Sequence, residues 1–198
     1  VKQAVILAAG RTTFDIPVGL LEVDNTLVIE RHIKTLKECG INNIVIVTGY
    51  NSEAFEEKMK NESGIILVKN DKYKWTGTMK SLSMAKGHIN DDFILIESDL
   101  ILENIAIPQI LNSINRDCVL ITNESGSGDE AFVQLEDNCL FKMAKDVHQF
   151  NRIDGEMIGV TKISYKLFNM MLKEYERNIN PYLNYEYMLL DMARNYKV

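Results

Sequence analysis

The sequence predicts an α/β fold in which a mostly parallel sheet carries helices on both faces. Short apolar runs of strand length alternate along the chain with stretches where apolar residues recur at helical spacing. The run Phe93–Glu97 is apolar on both faces, as central strands of a parallel sheet usually are. Such alternation implies right-handed crossovers, with ligands bound at the carboxyl ends of the strands.

Length and composition are typical of one globular domain. The chain has 198 residues, of which 46% are hydrophobic and 25% charged, and this is enough for one sizeable core. We therefore expect a single domain over residues 1–198. There is no apolar run near the roughly 20 residues of a membrane span, and the start lacks the pattern of a signal peptide. The sequence thus predicts a cytoplasmic protein without a membrane partner.

Charge and cysteine content exclude several classes of function. The net charge of −6 argues against a general nucleic-acid surface or a surface for anionic membranes. The three cysteines are widely spaced and contain no Cys-x-x-Cys pair, so neither a disulfide framework nor a thiolate metal site is indicated. A small anionic substrate would therefore need local cations or a metal ion.

The first half of the chain carries the strand and helix alternation. The predicted strands are Ala4–Ala9, Asn43–Thr48, Ile65–Val68, Phe93–Glu97 and Cys118–Thr122. The predicted helices are Thr26–Cys39, which Gly40 ends, a helix that Ser52 caps, Met79–His88 and Ile105–Ile114. The order implies a sheet built from consecutive strand and helix units.

The second half changes character. Short strands are predicted at Glu130–Glu136, Leu140–Ala144 and Met157–Ile163, and helical periodicity resumes at Ser164–Arg177 and Tyr185–Asn195. We interpret the three strands as a mixed-sheet lid over the first half.

The stretch Val5–Gly10 is the first candidate for a binding site. It is an apolar strand that ends in two small residues and a glycine, so its loop has backbone amides that no side chain covers. Glycine lets the main chain approach an anion closely, and successive amides form a concavity for negative charge. Many buried strands end in the same way, so this turn alone does not identify a ligand.

Four motifs in order carry a resemblance to a known family. They are Leu7–Gly10, Asp15–Val23, Thr76–Leu82 and Glu97–Leu100. Together they resemble the sugar-phosphate nucleotidyltransferase family, and within it the small cytidylyltransferases that act on phosphocholine or 2-aminoethylphosphonate. The later stretches Ser127–Glu130, Gly155–Thr161 and Tyr185–Tyr187 are more similar to the 2-aminoethylphosphonate enzymes.

The resemblance implies a Rossmann-like nucleotidyltransferase fold and an activity. The expected reaction is Mg²⁺-dependent transfer of CMP from CTP to 2-aminoethylphosphonate or a close phosphonate, with release of pyrophosphate. The alternatives are a phosphocholine cytidylyltransferase and a non-catalytic nucleotide-binding module. The expected partners are CTP and a small phosphonate or phosphate acceptor, with a homodimer or a fusion partner left open.

The resemblance also assigns roles in the nucleotide site. The residues expected to bind the nucleotide are Leu7, Ala8, Ala9, Gly10, Thr76, Met79 and Ser81. Arg11 and Lys145 are expected to be catalytic residues beside the phosphates, and Asp99 is expected to bind Mg²⁺. Each has an ordinary alternative. Taken alone, Thr76 is typical of a helix cap, Met79 of a core residue and Asp99 of a turn opener, while Arg11 and Lys145 are typical of the surface.

The acceptor site is where the two substrates would differ. A quaternary ammonium has no N–H to donate and is usually held by aromatic faces, whereas a primary ammonium requires hydrogen-bond acceptors. The residues expected to bind the acceptor are Asp129, Glu130, Glu156, Tyr185 and Glu186. The alternative is that these loop carboxylates simply face solvent.

The chain departs from the family's pattern at three places. Gly10 is followed at once by Arg11, where the family has a longer glycine-rich loop, and Val18 stands where the family has a lysine. The family's second metal carboxylate would follow Val198. We interpret the glycine-rich loop and the C-terminal end as incomplete in this chain, with a degenerate nucleotide-binding module as the alternative.

Overall fold

The computed structural model describes residues 1–13 and 15–198, which form ten strands and six α-helices. The strands are β1 (Gln3–Ala8), β2 (Glu22–Val23), β3 (Thr26–Leu27), β4 (Asn43–Thr48), β5 (Ile65–Lys69), β6 (Phe93–Glu97), β7 (Cys118–Thr122), β8 (Phe132–Glu136), β9 (Cys139–Ala144) and β10 (Gly155–Ile163). The helices are α1 (Val28–Glu38), α2 (Ser52–Met59), α3 (Thr78–Met84), α4 (Ala106–Leu111), α5 (Tyr165–Tyr175) and α6 (Tyr185–Ala193). Of these helices, none is long and apolar enough to cross a membrane in the described part of the chain.

Eight of the strands form one mixed sheet, in the order β5-β4-β1-β6-β10-β8-β9, with β7 also paired to β10. The first four strands of this order are parallel, and β10 runs antiparallel to β6. The predicted mostly parallel sheet is therefore confirmed. The interpretation of the second half as a lid is wrong, because β10 pairs directly with β6 and extends the same sheet.

Side chains on alternate positions of the central strands enter two separate cores. Val5 and Leu7 of β1 pack with residues of α3, α5 and α6 on one side of the sheet, which we call the α6 face. Ala4 and Ile6 pack with residues of α1, α2 and α4 on the other, the α1 face. This alternation follows from the two-residue period of a strand, and it requires helices on both sides of a sheet that is apolar on both sides.

Several predicted boundaries shift for local reasons. Helix α1 begins at Val28 rather than Thr26, because Thr26 and Leu27 pair with Glu22 and Val23 in a hairpin. Its turn residues Asp24 and Asn25 have φ of 50° and 58°, the left-handed backbone that two-residue hairpin turns need. The hairpin is a feature that the helical spacing of the apolar residues did not reveal.

The start of α2 also differs from the prediction. Ser52 is its first helical residue rather than its cap, and Asn51 with φ of 49° precedes it. The remaining helices agree in position, although α3 ends at Met84 and continues as one 3₁₀ turn, and α4 spans only Ala106–Leu111.

A buried carboxylate joins three segments of the second half. Asp117, which is 4% exposed, accepts hydrogen bonds from the backbone N–H and the hydroxyl of Ser164, the residue that caps α5. Its second oxygen also accepts a bond of 2.8 Å from the hydroxyl of Tyr196. The segment before β7, the start of α5 and the end of the chain are therefore held at one point.

Replacing this carboxylate is expected to destabilise the fold. Asp117→Ala leaves the buried N–H of Ser164 without its acceptor, so we expect the free energy of unfolding to fall by about 2–3 kcal/mol. Urea unfolding followed by circular dichroism measures this change. The control is Asp71→Ala, which removes an exposed ion pair with Lys69 and should cost less than about 0.5 kcal/mol. Equal losses in the two variants would contradict the assignment.

Candidate functional site

A pocket of about 360 Å³ lies at the carboxyl ends of β1 and β6. These strands are parallel neighbours, with Leu7 opposite Glu97, and the backbone N–H of Ser98 donates to the carbonyl of Leu7 at 3.0 Å. The next strand of this sheet along the chain, β4, lies on the other side of β1. The pocket is thus at a switch point of the sheet, which is where open α/β sheets bind ligands.

The pocket brings together most of the residues expected to bind the nucleotide. The predicted residues that line it are Leu7, Ala8, Ala9, Gly10, Arg11, Ser81 and Asp99. Val18 lines it as well, and Arg11 is the only basic residue among the described lining residues. Thr78 and Glu97 also line it, although the sequence analysis gave neither of them a role.

Two residues expected to bind the nucleotide lie outside the pocket lining. Met79 is fully buried in the core on the α6 face. The hydroxyl of Thr76 accepts a hydrogen bond from the side-chain amide of Asn70 at 3.2 Å and donates to the carbonyl of Lys72 at 3.0 Å. The same Asn70 amide donates to the hydroxyl of Ser81, so Thr76 supports a residue that does line the pocket.

Gly77 allows the chain to cross directly over the start of α3. Its N–H donates to the carbonyl of Pro181 at 2.8 Å. A Cβ atom at this position would lie 2.3 Å from the carbonyl oxygen of Leu183 and 2.4 Å from that of Tyr182. Since backbone atoms cannot yield at such distances, only glycine fits between α3 and the segment before α6.

The first turns of α3 and α6 cap each other. The side-chain oxygen of Asn184 accepts from the backbone N–H of Thr78 at 3.1 Å, and the hydroxyl of Thr78 accepts from the N–H of Tyr185 at 3.0 Å. Each side chain thus satisfies an amide that a helix start leaves unpaired. The pair places Glu186 next to Thr78, with 3.5 Å between the Thr78 hydroxyl and the carboxylate.

Glu97 occupies space that Gly159 leaves open. The register between β10 and β7 shifts between Met157 and Thr161, and Gly159 within this bulge has φ of 70°. A Cβ atom on Gly159 would lie 3.0 to 3.1 Å from three carbons of the Glu97 side chain. The left-handed backbone favours glycine here, and a Cβ would also force the Glu97 side chain to shift.

The carboxyl of Glu97 is electrostatically unusual. Its pKa is raised from 4.5 to about 7, first by burial and then by the charges of Glu186 and Asp99, while the Tyr185 hydroxyl and Lys145 act in the opposite direction. Burial also raises the pKa of Glu186. Tyr185 is fully buried, and burial together with Glu97 and Glu186 raises the pKa of its phenol well above the usual value.

The remaining residues expected at the acceptor are distributed over two places. Lys145 forms an ion pair with Asp129 and is close enough to Glu97 and Glu186 to act on the pKa of each. The carboxylate of Glu156 accepts from the N–H of Ser125 at 2.8 Å. The pKa of Glu130 is lowered by backbone N–H groups, first its own and then that of Gly128. The carboxylates of Glu130 and Glu156 thus accept hydrogen bonds from backbone N–H groups of the 125–130 loop. Tyr185 and Glu186, in contrast, lie near Glu97.

Metal binding at this site has one exposed candidate. In residues 1–13 and 15–198 there is no group of three His, Cys, Asp or Glu side chains arranged to hold a metal ion. The carboxylate of Asp99 is exposed at the pocket, and no cation lies within 4 Å of it among the described side chains. Asp99 could therefore supply one exposed carboxylate, with most other ligands to come from a bound molecule.

Comparison with known proteins places the chain in a family. The family model for the MobA-like NTP transferase domain matches residues 4–152. The choline-phosphate cytidylyltransferase of Streptococcus pneumoniae is 34% identical over 108 residues, which are 52% of this chain and 47% of that protein. The chain therefore matches about half the length of that relative.

Two further comparisons extend over most of the chain. The CTP:phosphoglutamine cytidylyltransferase of Campylobacter jejuni is 22% identical over 197 residues, covering 88% of this chain and 78% of that protein. The solved structure of a CTP:phosphocholine cytidylyltransferase from Streptococcus pneumoniae superposes with a TM-score of 0.80 and 24% identity, covering 100% of this chain and 88% of that one. The superposition confirms the expected nucleotidyltransferase fold.

The raised pKa of Glu97 predicts how stability depends on pH. Glu97 favours folding below about pH 4.5, where it is protonated in both states, and this contribution is lost as the pH rises through about 7. Above about pH 7, the folded protein must hold the negative charge of Glu97 near those of Asp99 and Glu186. The Tyr185 hydroxyl and Lys145 offset part of this repulsion. Between about pH 5 and pH 8, wild type should therefore lose about 2–3 kcal/mol relative to Glu97→Gln.

Urea unfolding of both proteins without nucleotide or metal ions measures this difference. The control is Glu56→Gln, which changes an exposed carboxyl on α2 and should follow the wild-type pH dependence. If Glu97→Gln also follows wild type, the carboxyl of Glu97 has an ordinary pKa and the electrostatic description of the pocket is wrong.

Proposed function

This chain belongs to the MobA-like NTP transferase domain family, and we propose that it transfers CMP from CTP to 2-aminoethylphosphonate or a close phosphonate, releasing pyrophosphate. The observation that carries the proposal is the pocket between β1 and β6, which the turn after Ala8 and the residue Asp99 line together. The names of the relatives support CTP as the nucleotide, because both describe cytidylyltransferases.

The residues on the β1 side of the pocket suit a nucleoside triphosphate. Apart from the two chain neighbours of Gly10, no atom of the described residues lies within 4 Å of where its Cβ would be, so its backbone is open to a phosphate. Arg11 supplies a fixed positive charge beside it. We assign the backbone of Leu7 to Ala9 to the base, and Arg11 to the phosphates.

The donor set at the pocket fits Mg²⁺. This ion commonly takes one or two carboxylates and completes its octahedral shell with substrate phosphates and water. Asp99 offers one exposed carboxylate at the strand end, and the triphosphate would supply the remaining charged ligands. When bound, the ion would neutralise phosphate charge and align the reacting groups.

The proposed reaction is a direct displacement and requires no covalent intermediate with the protein. An oxygen of the acceptor's phosphonate attacks the α-phosphorus of CTP, the bond to the β-phosphate oxygen breaks, and the electron pair leaves with pyrophosphate. The protein supplies alignment and charge stabilisation. Arg11 stabilises negative charge on the triphosphate. Lys145, after release from Asp129, lies at the same site and would stabilise the charge that develops at the α-phosphate.

The carboxylates around the pocket favour an acceptor with a primary amine. None of the described residues that line the pocket is aromatic, although a quaternary ammonium such as choline is usually held by aromatic faces. Tyr185 is fully buried and presents no open ring face. Phosphocholine is the second candidate, since one relative is named for choline phosphate.

Pyrophosphate release tests the reaction directly. With CTP and Mg²⁺, we expect release with 2-aminoethylphosphonate and at most a few per cent of that rate with phosphocholine or without an acceptor. Release with phosphocholine alone would retain the transfer and overturn the acceptor assignment. Measurable CTP binding without any release would favour a non-catalytic nucleotide-binding module.

Asp99→Asn tests the metal site. The neutral amide is a far weaker Mg²⁺ ligand, so we expect kcat to fall by about 100-fold or more while the urea midpoint stays within the error of wild type. The control is Asp137→Asn, an exposed residue of the β8–β9 turn whose φ of 49° suits asparagine. A normal rate in Asp99→Asn would remove Asp99 from the metal site.

A further inference from the structure

Glu97 and Glu186 are carboxylates placed in a protein interior without a cation. Both are partly buried, and among the described side chains neither has a cationic group within 4 Å. Lys145 is the nearest cation that acts on both, and it is paired with Asp129. Buried carboxylates normally have a cation or several N–H donors, because their removal from water is costly.

Two fully buried hydroxyls at the same place are not hydrogen-bonded with normal geometry. Tyr185 and Thr161 are each 0% exposed, and within residues 1–13 and 15–198 neither Tyr185 Oη nor Thr161 Oγ1 makes a hydrogen bond of normal geometry. The Tyr185 hydroxyl lies beside Glu97 and Thr161, close enough to affect the pKa of Glu97. Buried polar groups of this kind are normally satisfied, so the pair indicates that a polar group is bound there in the working protein.

What this arrangement lacks is a positive group with several N–H donors. A primary ammonium has one charge and three N–H groups, enough for one bond to each carboxylate and one to a hydroxyl. A quaternary ammonium has the charge and no N–H group. It would therefore add no donor for either carboxylate or for either hydroxyl.

Gly159 indicates that the position of Glu97 is specified rather than incidental. The bulge of β10 gives residue 159 a left-handed backbone, and the side chain of Glu97 fills the space where a Cβ would be. A residue with a Cβ at 159 would displace the Glu97 side chain from this position.

We propose that Glu97, together with Glu186 and the Tyr185 hydroxyl, binds the primary ammonium of the acceptor and selects amine-bearing phosphonates. This inference rests on the proposed function and adds a specificity-determining residue that the motifs did not indicate. Glu97 lies at the end of β6 and Asp99 two residues further, so the recognised ammonium and the reacting phosphates would occupy adjacent parts of one pocket.

The test compares two acceptors that differ only in the amine. We would measure kcat/KM for 2-aminoethylphosphonate and for ethylphosphonate with wild type and with Glu97→Gln, which keeps the shape of the side chain. Wild type should prefer the amine, and Glu97→Gln should lower the ratio of the two values by about 30-fold or more, because a charge-assisted bond is lost. Glu56→Gln should keep the wild-type ratio.

Two outcomes would overturn the inference while the proposed transfer stands. Wild type would use both acceptors equally, or Glu97→Gln would lose the same factor with both acceptors. The second outcome, accompanied by a higher Mg²⁺ concentration for half-maximal rate, would make Glu97 part of the metal site instead.

Calorimetry separates this inference from the proposed function. If no acceptor leads to pyrophosphate release, the proposed function fails, and binding of 2-aminoethylphosphonate and ethylphosphonate in the presence of CTP is measured instead. Tighter binding of the amine to wild type, lost in Glu97→Gln, would still support Glu97 as the ammonium ligand. Equal binding of the two compounds to wild type would overturn it.

A second variant tests the space that Gly159 provides. Gly159→Ala should lower the acceptor ratio in the same direction as Glu97→Gln, by about 10-fold. The control is Gly40→Ala, which has φ of 80° and nothing within 4 Å of its Cβ position, so it imposes the backbone strain without a neighbour. A Gly159→Ala ratio equal to that of wild type would show that Glu97 reaches its ligand from a displaced position, against the assigned geometry.

Discussion

The parallel pairing of β1 with β6 is the constraint on which the site depends. The register that sets Leu7 opposite Glu97 brings the turn after Ala8 and the carboxylate of Asp99 to one edge of the sheet. Hydrogen bonds between the strands maintain this register, and the apolar side chains on both faces make a shift costly, because a slip of one residue would exchange the two cores. The pocket is thus a consequence of strand order and not of any single loop.

A second constraint adds the far end of the chain to the same edge. Thr78 and Asn184 cap each other's helices across Gly77, and this brings Tyr185 and Glu186 over residues from the first half. Closing so long a loop costs conformational entropy, and the burial of apolar side chains of α6 against the sheet offsets this cost. The residues that we propose for the nucleotide and for the acceptor consequently lie at the same edge of the sheet.

The charges of the site agree with the substrates that we propose. Arg11 and the open backbone at Gly10 are suited to phosphates, while Glu97 and Glu186 are carboxyl groups in a region where burial raises the pKa of each. An acceptor with a phosphonate at one end and an ammonium at the other would satisfy both halves of the pocket. Its phosphonate would lie near Arg11 and its ammonium near Glu97 and Glu186, and this favours one orientation of the acceptor toward the α-phosphorus.

The sequence by itself determined the fold class, the central strands and the residues at the turn after β1, because apolar periodicity and the order of short motifs are local properties. It also placed Asp99 and Tyr185–Tyr187 among the candidates. Only the tertiary structure decided that Glu97 faces Gly159 and Tyr185, that Glu130 and Glu156 accept hydrogen bonds from the 125–130 loop, and that Met79 is a core residue. Those outcomes depend on contacts between segments far apart in the chain, and such contacts leave no spacing pattern for a sequence to show.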